Sequence, residues 1–226
     1  NSSMDPIIIQ PFLSKESNKL EYYFKVSNPN DFGDGEVFKR HENADTFFFD
    51  DKKEFDYNLA NSDKGQHIHF IVNNGPYSAH YIDSFDSKIS DENAVILAFL
   101  SRSYHESLKN SDAYVLTKIG EKNNIDLENE FIFYSRPKGT YKGSDTEKLL
   151  LDFYLVNTNL SPEGNKVRIS INQNKKTHKF LVDEWEPFYI EGLDKGEVSI
   201  KLELLNNEGK LIEIPFNPSS RTVFLE

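Results

Sequence analysis

Segments of this chain recur about 100 residues further along, and this internal repeat constrains the fold more than any other feature. The run GQHIHFIVN at 65–73 matches GNKVRISIN at 164–172, a separation of 99 residues. The run ENAVILAFL at 92–100 matches KGEVSIKLEL at 195–204, a separation of 103. A nearly constant separation indicates one structural unit that is present twice. We therefore predict two copies, at 1–127 and 128–226.

Each copy has the pattern of an all-β domain. Short apolar or alternating runs are separated by turns rich in Asn, Gly and Pro, which is typical of strands, and helix signals are nearly absent. About seven short strands in a copy of this length indicate an immunoglobulin-like or fibronectin-like β-sandwich. The predicted architecture is therefore two tandem sandwich domains.

The first copy carries an insert at roughly 33–64 that the second copy lacks. It contains Phe47, Phe48 and Phe49 among many charged residues. Because such rings need apolar surface to cover, we expect the insert to fold over one face of the first sandwich. The alternative is that the second domain covers that face.

The repeat also predicts which residues share a face of the sheet. Successive side chains of a strand alternate between its faces, so the match to the second copy places His67 and His69 on the outer face. The outer-face positions predicted for the strand at 195–204 in the second copy are polar, whereas their counterparts at 92–100 in the first copy are apolar. The matched sets are Ser199, Lys201 and Glu203 in the second copy and Ile96, Ala98 and Leu100 in the first.

His67 and His69 form the pair most suggestive of chemistry. Residues two apart on a strand point the same way, about 6.5–7 Å apart at the backbone, so both imidazoles can reach one ion. Further ligands are predicted from His105 and Glu106, in the loop after the neighbouring strand. Zinc or copper(II) would suit such a set. The alternative is two half-exposed rings on an ordinary polar face.

Other residues are candidates for contacts with a small ligand. His80 follows the His67 strand, and the loop SRSYHESLKN contributes Arg102 and Tyr104. The loop SRPKGTYKGSD forms a basic and aromatic spot on an acidic protein, which could bind an anion or remain solvated. Its candidate residues are Arg136, Lys138 and Tyr141.

Composition excludes several classes of function. The net charge is −11, from 26 basic and 37 acidic residues, which argues against a nucleic-acid partner. There are no cysteines, so disulfides, thiolate catalysis and zinc–thiolate sites are excluded. No apolar run is long enough for a membrane-spanning helix.

The architecture and the runs GQHIHFIVNNGPY and LSRSYHESLKN resemble the tandem sandwich lipoproteins of bacterial envelopes. This resemblance implies fold and location and carries no catalytic residues. The start NSSMDP lacks an initiator Met, and a polar start of this kind follows the acylated Cys of a lipoprotein. We therefore expect export to the bacterial cell envelope, with a membrane contact only through an N-terminal lipid anchor outside this chain.

Three functions remain open from the sequence. The first is a non-enzymatic envelope protein that binds a divalent metal or a small ligand on the His-bearing face. The second is a structural or protein-interaction spacer that contacts another envelope protein. The third is a metal-assisted hydrolase, for which Glu106 would be the general base.

Overall fold

The computed structural model describes residues 7–9, 62, 64–82, 84–120 and 122–226. Within these ranges the protein is all-β, with thirteen strands and two short 3-10 helices. No helix in this part of the chain is long and apolar enough to cross a membrane. The strands are β1 (Ile7–Ile9), β2 (His67–Val72), β3 (Ser78–His80), β4 (Ala94–Ser101), β5 (Tyr114–Ile119), β6 (Phe131–Arg136), β7 (Thr140–Tyr141), β8 (Leu149–Val156), β9 (Lys166–Gln173), β10 (Lys176–Val182), β11 (Phe188–Glu191), β12 (Gly196–Leu205) and β13 (Ser219–Leu225).

The contacts divide the described residues into two compact units. The C-terminal unit comprises 7–9, 73–76 and 124–226, and the N-terminal unit comprises the described residues of 62–72 and 77–123. The bounds predicted from the repeat, 1–127 and 128–226, stay a prediction.

The C-terminal unit is a two-layer sandwich. Its sheets have the strand orders β1-β11-β8-β6 and β10-β9-β12-β13-β7. Strand β8 is buried along its whole length, as its continuous apolar run LLLDFYLV indicates. Strand β12 alternates and turns Val198, Ile200 and Leu202 into a core that both sheets share. All strand pairs in these sheets are antiparallel except β13 with the short edge strand β7. Apolar burial between the two sheets holds such a fold together, and the predicted sandwich class is confirmed.

The described part of the N-terminal unit contains a sheet with the order β3-β2-β4-β5. The C-terminal unit repeats this arrangement as β10-β9-β12-β13. Strands β2 and β4 pair antiparallel, as the sequence predicts for neighbours. The internal repeat is therefore visible in the sheet topology.

The register of β2 with β4 corrects the predicted faces. His67 lies opposite Ser101, and His69 lies opposite Phe99. Because residues opposite each other in a ladder share a face, the apolar residues predicted beside the histidines lie on the other side of the sheet. That prediction is wrong for Ile96, Ala98 and Leu100.

The cause of this error is a one-residue slip in matching β4 to β12. After β4, the backbone N–H of Leu108 donates to the carbonyl of Leu100; after β12, the N–H of Ile212 donates to the carbonyl of Leu204. These equivalent bonds are 104 residues apart, not 103. A slip of one residue moves every side chain of a strand to the opposite face.

Burial also differs from the expectation of a solvated histidine face. His67, His69 and Ile71 are fully buried, and the alternating residues of β2 are half-buried. The interpretation of two half-exposed rings is therefore wrong. The insert at 33–64 lies outside the described residues except Ser62 and Lys64, so its predicted position over this face stays a prediction.

The corresponding face of the C-terminal unit carries an ion pair instead. Arg168 on β9 donates from Nε and Nη2 to the carboxylate of Glu203 on β12, at 2.8 and 3.0 Å. The Arg168 hydrogen bond lowers the pKa of Glu203 to about 2, and a hydrogen bond from Lys201 acts in the same direction. In the matching cross-strand position the N-terminal unit has His69 opposite Phe99.

The ion pair between Arg168 and Glu203 should contribute less to the free energy of unfolding in acid than at neutral pH. Because the pKa of Glu203 is lower in the folded chain, the unfolded chain binds more protons, and the contribution is present above about pH 4.5 and lost as pH falls towards 2. Glu203→Gln should flatten the decline in unfolding free energy over this range by about 1 kcal/mol. Urea unfolding between pH 6 and 2.5 measures this. The control is Glu208→Gln at an exposed ion pair, and equal slopes for both variants would contradict the prediction.

Candidate metal centre

Strand β2 brings two imidazoles together on one face. His67 and His69 are separated by one residue, and their Nε2 atoms lie 2.9 Å apart. Both side chains are 0% exposed. Two tetrahedral bonds of about 2 Å to one ion would place these nitrogens about 3.3 Å apart, so a small adjustment would admit an ion between them.

The loop after β4 supplies a third imidazole. Among the described residues, His67, His69 and His105 form a group whose ligand nitrogens all lie within 4.8 Å of one another. The ring centroid of His105 is 4.7 Å from that of His67 and 5.7 Å from that of His69. The sequence prediction that this loop reaches the His67–His69 pair therefore agrees with the geometry.

The backbone of His105 is in the left-handed region, with a φ of +66°. This conformation is uncommon for residues other than glycine, although His, Asn and Asp adopt it more often than the rest. The backbone N–H of His105 donates to the carbonyl of Arg102, and the N–H of Arg102 donates to the carbonyl of Glu106. These bonds close a tight turn at the end of the strand.

The second copy forms the same turn with a glycine. There the N–H of Gly209 donates to the carbonyl of Asn206, and the N–H of Asn206 donates to the carbonyl of Lys210. Gly209 has a φ of +76°. His105 therefore occupies the position at which the equivalent turn uses the residue that the backbone favours.

A backbone carbonyl fixes the orientation of His67. Nδ1 of His67 lies 3.0 Å from the carbonyl oxygen of Gly65, a distance at which Nδ1–H donates to that oxygen. The Nε2 lone pair of His67 then points at His69, whose Nε2–H donates to it. An ion bound to both Nε2 atoms would require His69 to carry its proton on Nδ1 instead. A histidine whose second nitrogen donates to a carbonyl is the usual arrangement of a metal ligand.

Aromatic rings surround the histidines. Tyr77 stacks on His69 with a centroid separation of 3.7 Å and an interplanar angle of 8°. The ring of Tyr81 lies 5.0 Å from that of His67, and its hydroxyl is 2.8 Å from Oγ of Ser62. Neither Tyr77 nor Tyr81 is among the residues that the sequence predicts for the site. Both lie in GPYSAHY, directly after the His67 strand, and this position would have indicated that they pack near the histidines.

Glu106 is not part of the histidine group. Its carboxylate lies 3.9 Å from Nε of Arg102, and both side chains are buried. The negative charge of Glu106 therefore lies beside the positive charge of the buried Arg102 guanidinium. The predicted role of Glu106 as a metal ligand is untested. Tyr104, in the same loop, is half-buried, and its predicted role in ligand binding stays a prediction.

His80 lies on the opposite face of the sheet. It pairs with Ile68 across the β2–β3 ladder, so it shares the face of Ile68 rather than that of the histidine group. Its Nε2 lies 2.8 Å from Oγ of Ser78, and its ring stacks on Phe85 at 3.5 Å. Desolvation by burial lowers the pKa of His80. Because it lies on the opposite face of the sheet, His80 cannot share a ligand with His67 and His69, and its predicted role in ligand binding stays a prediction.

The basic spot belongs to the C-terminal unit. Burial, together with the charges of Arg136 and Arg221, lowers the pKa of Lys138 to about 8. The hydroxyl of Tyr141 accepts a hydrogen bond of 3.1 Å from the backbone N–H of Lys138. Arg221 stacks over Tyr134 and donates to the carbonyl of Ser135. These contacts order the loop that holds the spot, and the predicted anion site stays a prediction.

Comparisons with known proteins add little to this geometry. No protein-family model and no curated protein matches the chain. Among solved structures the chain is similar to the fibronectin(III)-like modules of Clostridium thermocellum CbhA. That match has 13% sequence identity and a TM-score of 0.31, and it covers 71% of this chain and 77% of the other. The fold described above rests on the sheets and their packing.

Proposed function

We propose that the protein is a non-enzymatic binding module whose N-terminal unit holds one divalent metal ion through His67, His69 and His105. The observation that carries the proposal is the convergence of three imidazoles from two segments of chain, with ligand nitrogens within 4.8 Å of one another. A β-sandwich fold by itself does not assign a function, so the proposal rests on the histidine group and not on the fold. A location in the bacterial envelope belongs to the same proposal.

The donor set favours zinc or copper(II). Imidazole is a good ligand for both ions, whereas soft copper(I) prefers thiolate and thioether. The chain has no Cys and one Met, which lies at its start. Three imidazoles leave a fourth position of a tetrahedral ion for water or a small anion.

Isothermal titration calorimetry with zinc and with copper(II) at neutral pH tests the proposal. We expect wild-type protein to bind one ion with micromolar or tighter affinity. The double variant His67→Gln/His69→Gln should bind at least about 100-fold more weakly, because two of three ligands are lost. Elemental analysis of the purified protein gives a second count of bound metal.

His80→Gln is the matched control, because it removes a histidine from the opposite face of the same sheet. It should bind metal as the wild type does. Circular dichroism spectra and melting temperatures show whether each variant is folded. Wild-type protein that binds neither ion, or a folded double variant that binds as well as the wild type, would overturn the proposal and leave an interaction module without a metal.

A further inference from the structure

We infer that the ion is a structural cross-link that fastens the turn at 102–106 to strand β2, and not a centre open to a substrate. This inference rests on the proposed metal site and specifies its role. It follows from the chain segments that the ligands join, from their burial, and from the backbone of His105.

The three ligands belong to two separate pieces of the N-terminal unit. His67 and His69 lie on β2, whereas His105 lies in the loop between β4 and β5. An ion bound to all three closes a chain loop of more than thirty residues, from His69 to His105. Closing a loop of that size restricts the unfolded chain, so the bond contributes to the stability of the folded one.

The histidines are too deeply buried for a substrate to reach the ion. His67 and His69 are 0% exposed and His105 is 9% exposed. Tyr77 stacks on the ring of His69, and Phe99 lies 5.1 Å from it. A reacting molecule would need an open approach to the fourth coordination position, and side chains this deeply buried offer none.

The backbone of the turn at 102–106 indicates how an ion bound to His105 would stabilise the fold. Both copies close the turn with the same backbone hydrogen bonds, but only the first copy places a side chain with a Cβ at the left-handed position, His105 in place of Gly209. That substitution makes the turn less favourable for the backbone. A bond from His105 to the ion offsets this cost, so the glycine-type turn becomes dependent on metal.

The experiment compares wild type with His105→Gly, each with zinc and with a chelator. In chelator, His105→Gly should melt about 2–4 °C higher than wild type, because glycine relieves the left-handed backbone. With zinc at 100 times its dissociation constant, wild type should melt about 10 °C higher than in chelator, and the variant should shift by less than about 2 °C. Zinc should also slow amide hydrogen exchange at 102–107 in the wild type.

A second variant keeps the test independent of glycine's flexibility. His105→Asn tolerates the left-handed conformation about as well as His but lacks the imidazole. It should therefore melt close to the wild type in chelator and, like His105→Gly, shift by less than about 2 °C with zinc. Zinc binding by calorimetry without slower exchange at 102–107, or a zinc-induced melting shift in His105→Gly as large as that of the wild type, would overturn the cross-link and leave zinc binding itself intact. Absence of zinc binding would overturn the proposed function, and this inference with it.

Discussion

Leu97→Ala should lower the free energy of unfolding of the N-terminal unit by about 3 kcal/mol. Leu97 lies on β4 opposite Ile71 and Leu116, and its side chain is 0% exposed. It is on the same face of the sheet as His67 and His69. Truncation removes buried apolar surface and leaves a cavity between neighbouring strands, and such cavities in cores cost 2–5 kcal/mol in general.

The neighbouring residue is the matched control for this variant. Ile96 lies on the opposite face of β4 and is half-buried, so Ile96→Ala should cost about half as much. Urea unfolding followed by circular dichroism measures both. Trp185, the one tryptophan of the chain, lies in the C-terminal unit, so its fluorescence gives a separate signal for that unit. A larger loss for Ile96→Ala than for Leu97→Ala would reverse the assignment of faces.

Gly120→Ala should destabilise the N-terminal unit by about 3 kcal/mol as well, for a different reason. Gly120 has a φ of +94°, and an added Cβ would lie 2.9 Å from the Cα of Asn93 and closer still to the carbonyl oxygen of Glu92. Both obstacles belong to the backbone, which cannot move aside as a flexible side chain does. The variant therefore combines a left-handed backbone with a steric clash at the end of β5.

Gly209→Ala separates these two effects. Gly209 is also left-handed, with a φ of +76°, but an added Cβ there meets nothing within 4 Å. We expect a loss of about 1 kcal/mol from the backbone alone. The two variants are compared by their urea midpoints, using circular dichroism for Gly120→Ala and Trp185 fluorescence for Gly209→Ala. Equal losses in both would show that the clash at Gly120 is relieved by a shift of the chain.

Strand existence and order were predictable because they depend on local pattern. The alternation in β9 and β12 and the apolar run of β8 each indicate a strand by themselves, and the repeat links β2 to β9. The strand order of an immunoglobulin-like sheet then predicts that β2 and β4 are neighbours. The face of the sheet on which each β4 side chain lies was predicted wrongly. Matching β4 to β12 at a separation of 103 residues instead of 104 exchanges the two faces of the strand.

The site was predictable only in part. The spacing of His67 and His69 predicts convergence, since residues two apart on a strand point the same way. In the repeat, His67 and His69 correspond to Lys166 and Arg168, which predicts a solvated face. The histidines are buried instead, because burial depends on what packs over a face. Glu106 follows His105 directly, yet its carboxylate lies beside Arg102.

By itself, the sequence determined the all-β class, the repeat and the pair of histidines on one strand, because each depends on residues close together in the chain. Only the tertiary structure decided that His105 joins the pair, that the group is buried, and that its turn is the one that Gly209 forms in the other copy. These depend on strand register and on the backbone angle of one loop residue. A single-residue shift in register moves a side chain from one face of a sheet to the other, and composition or spacing does not fix that shift.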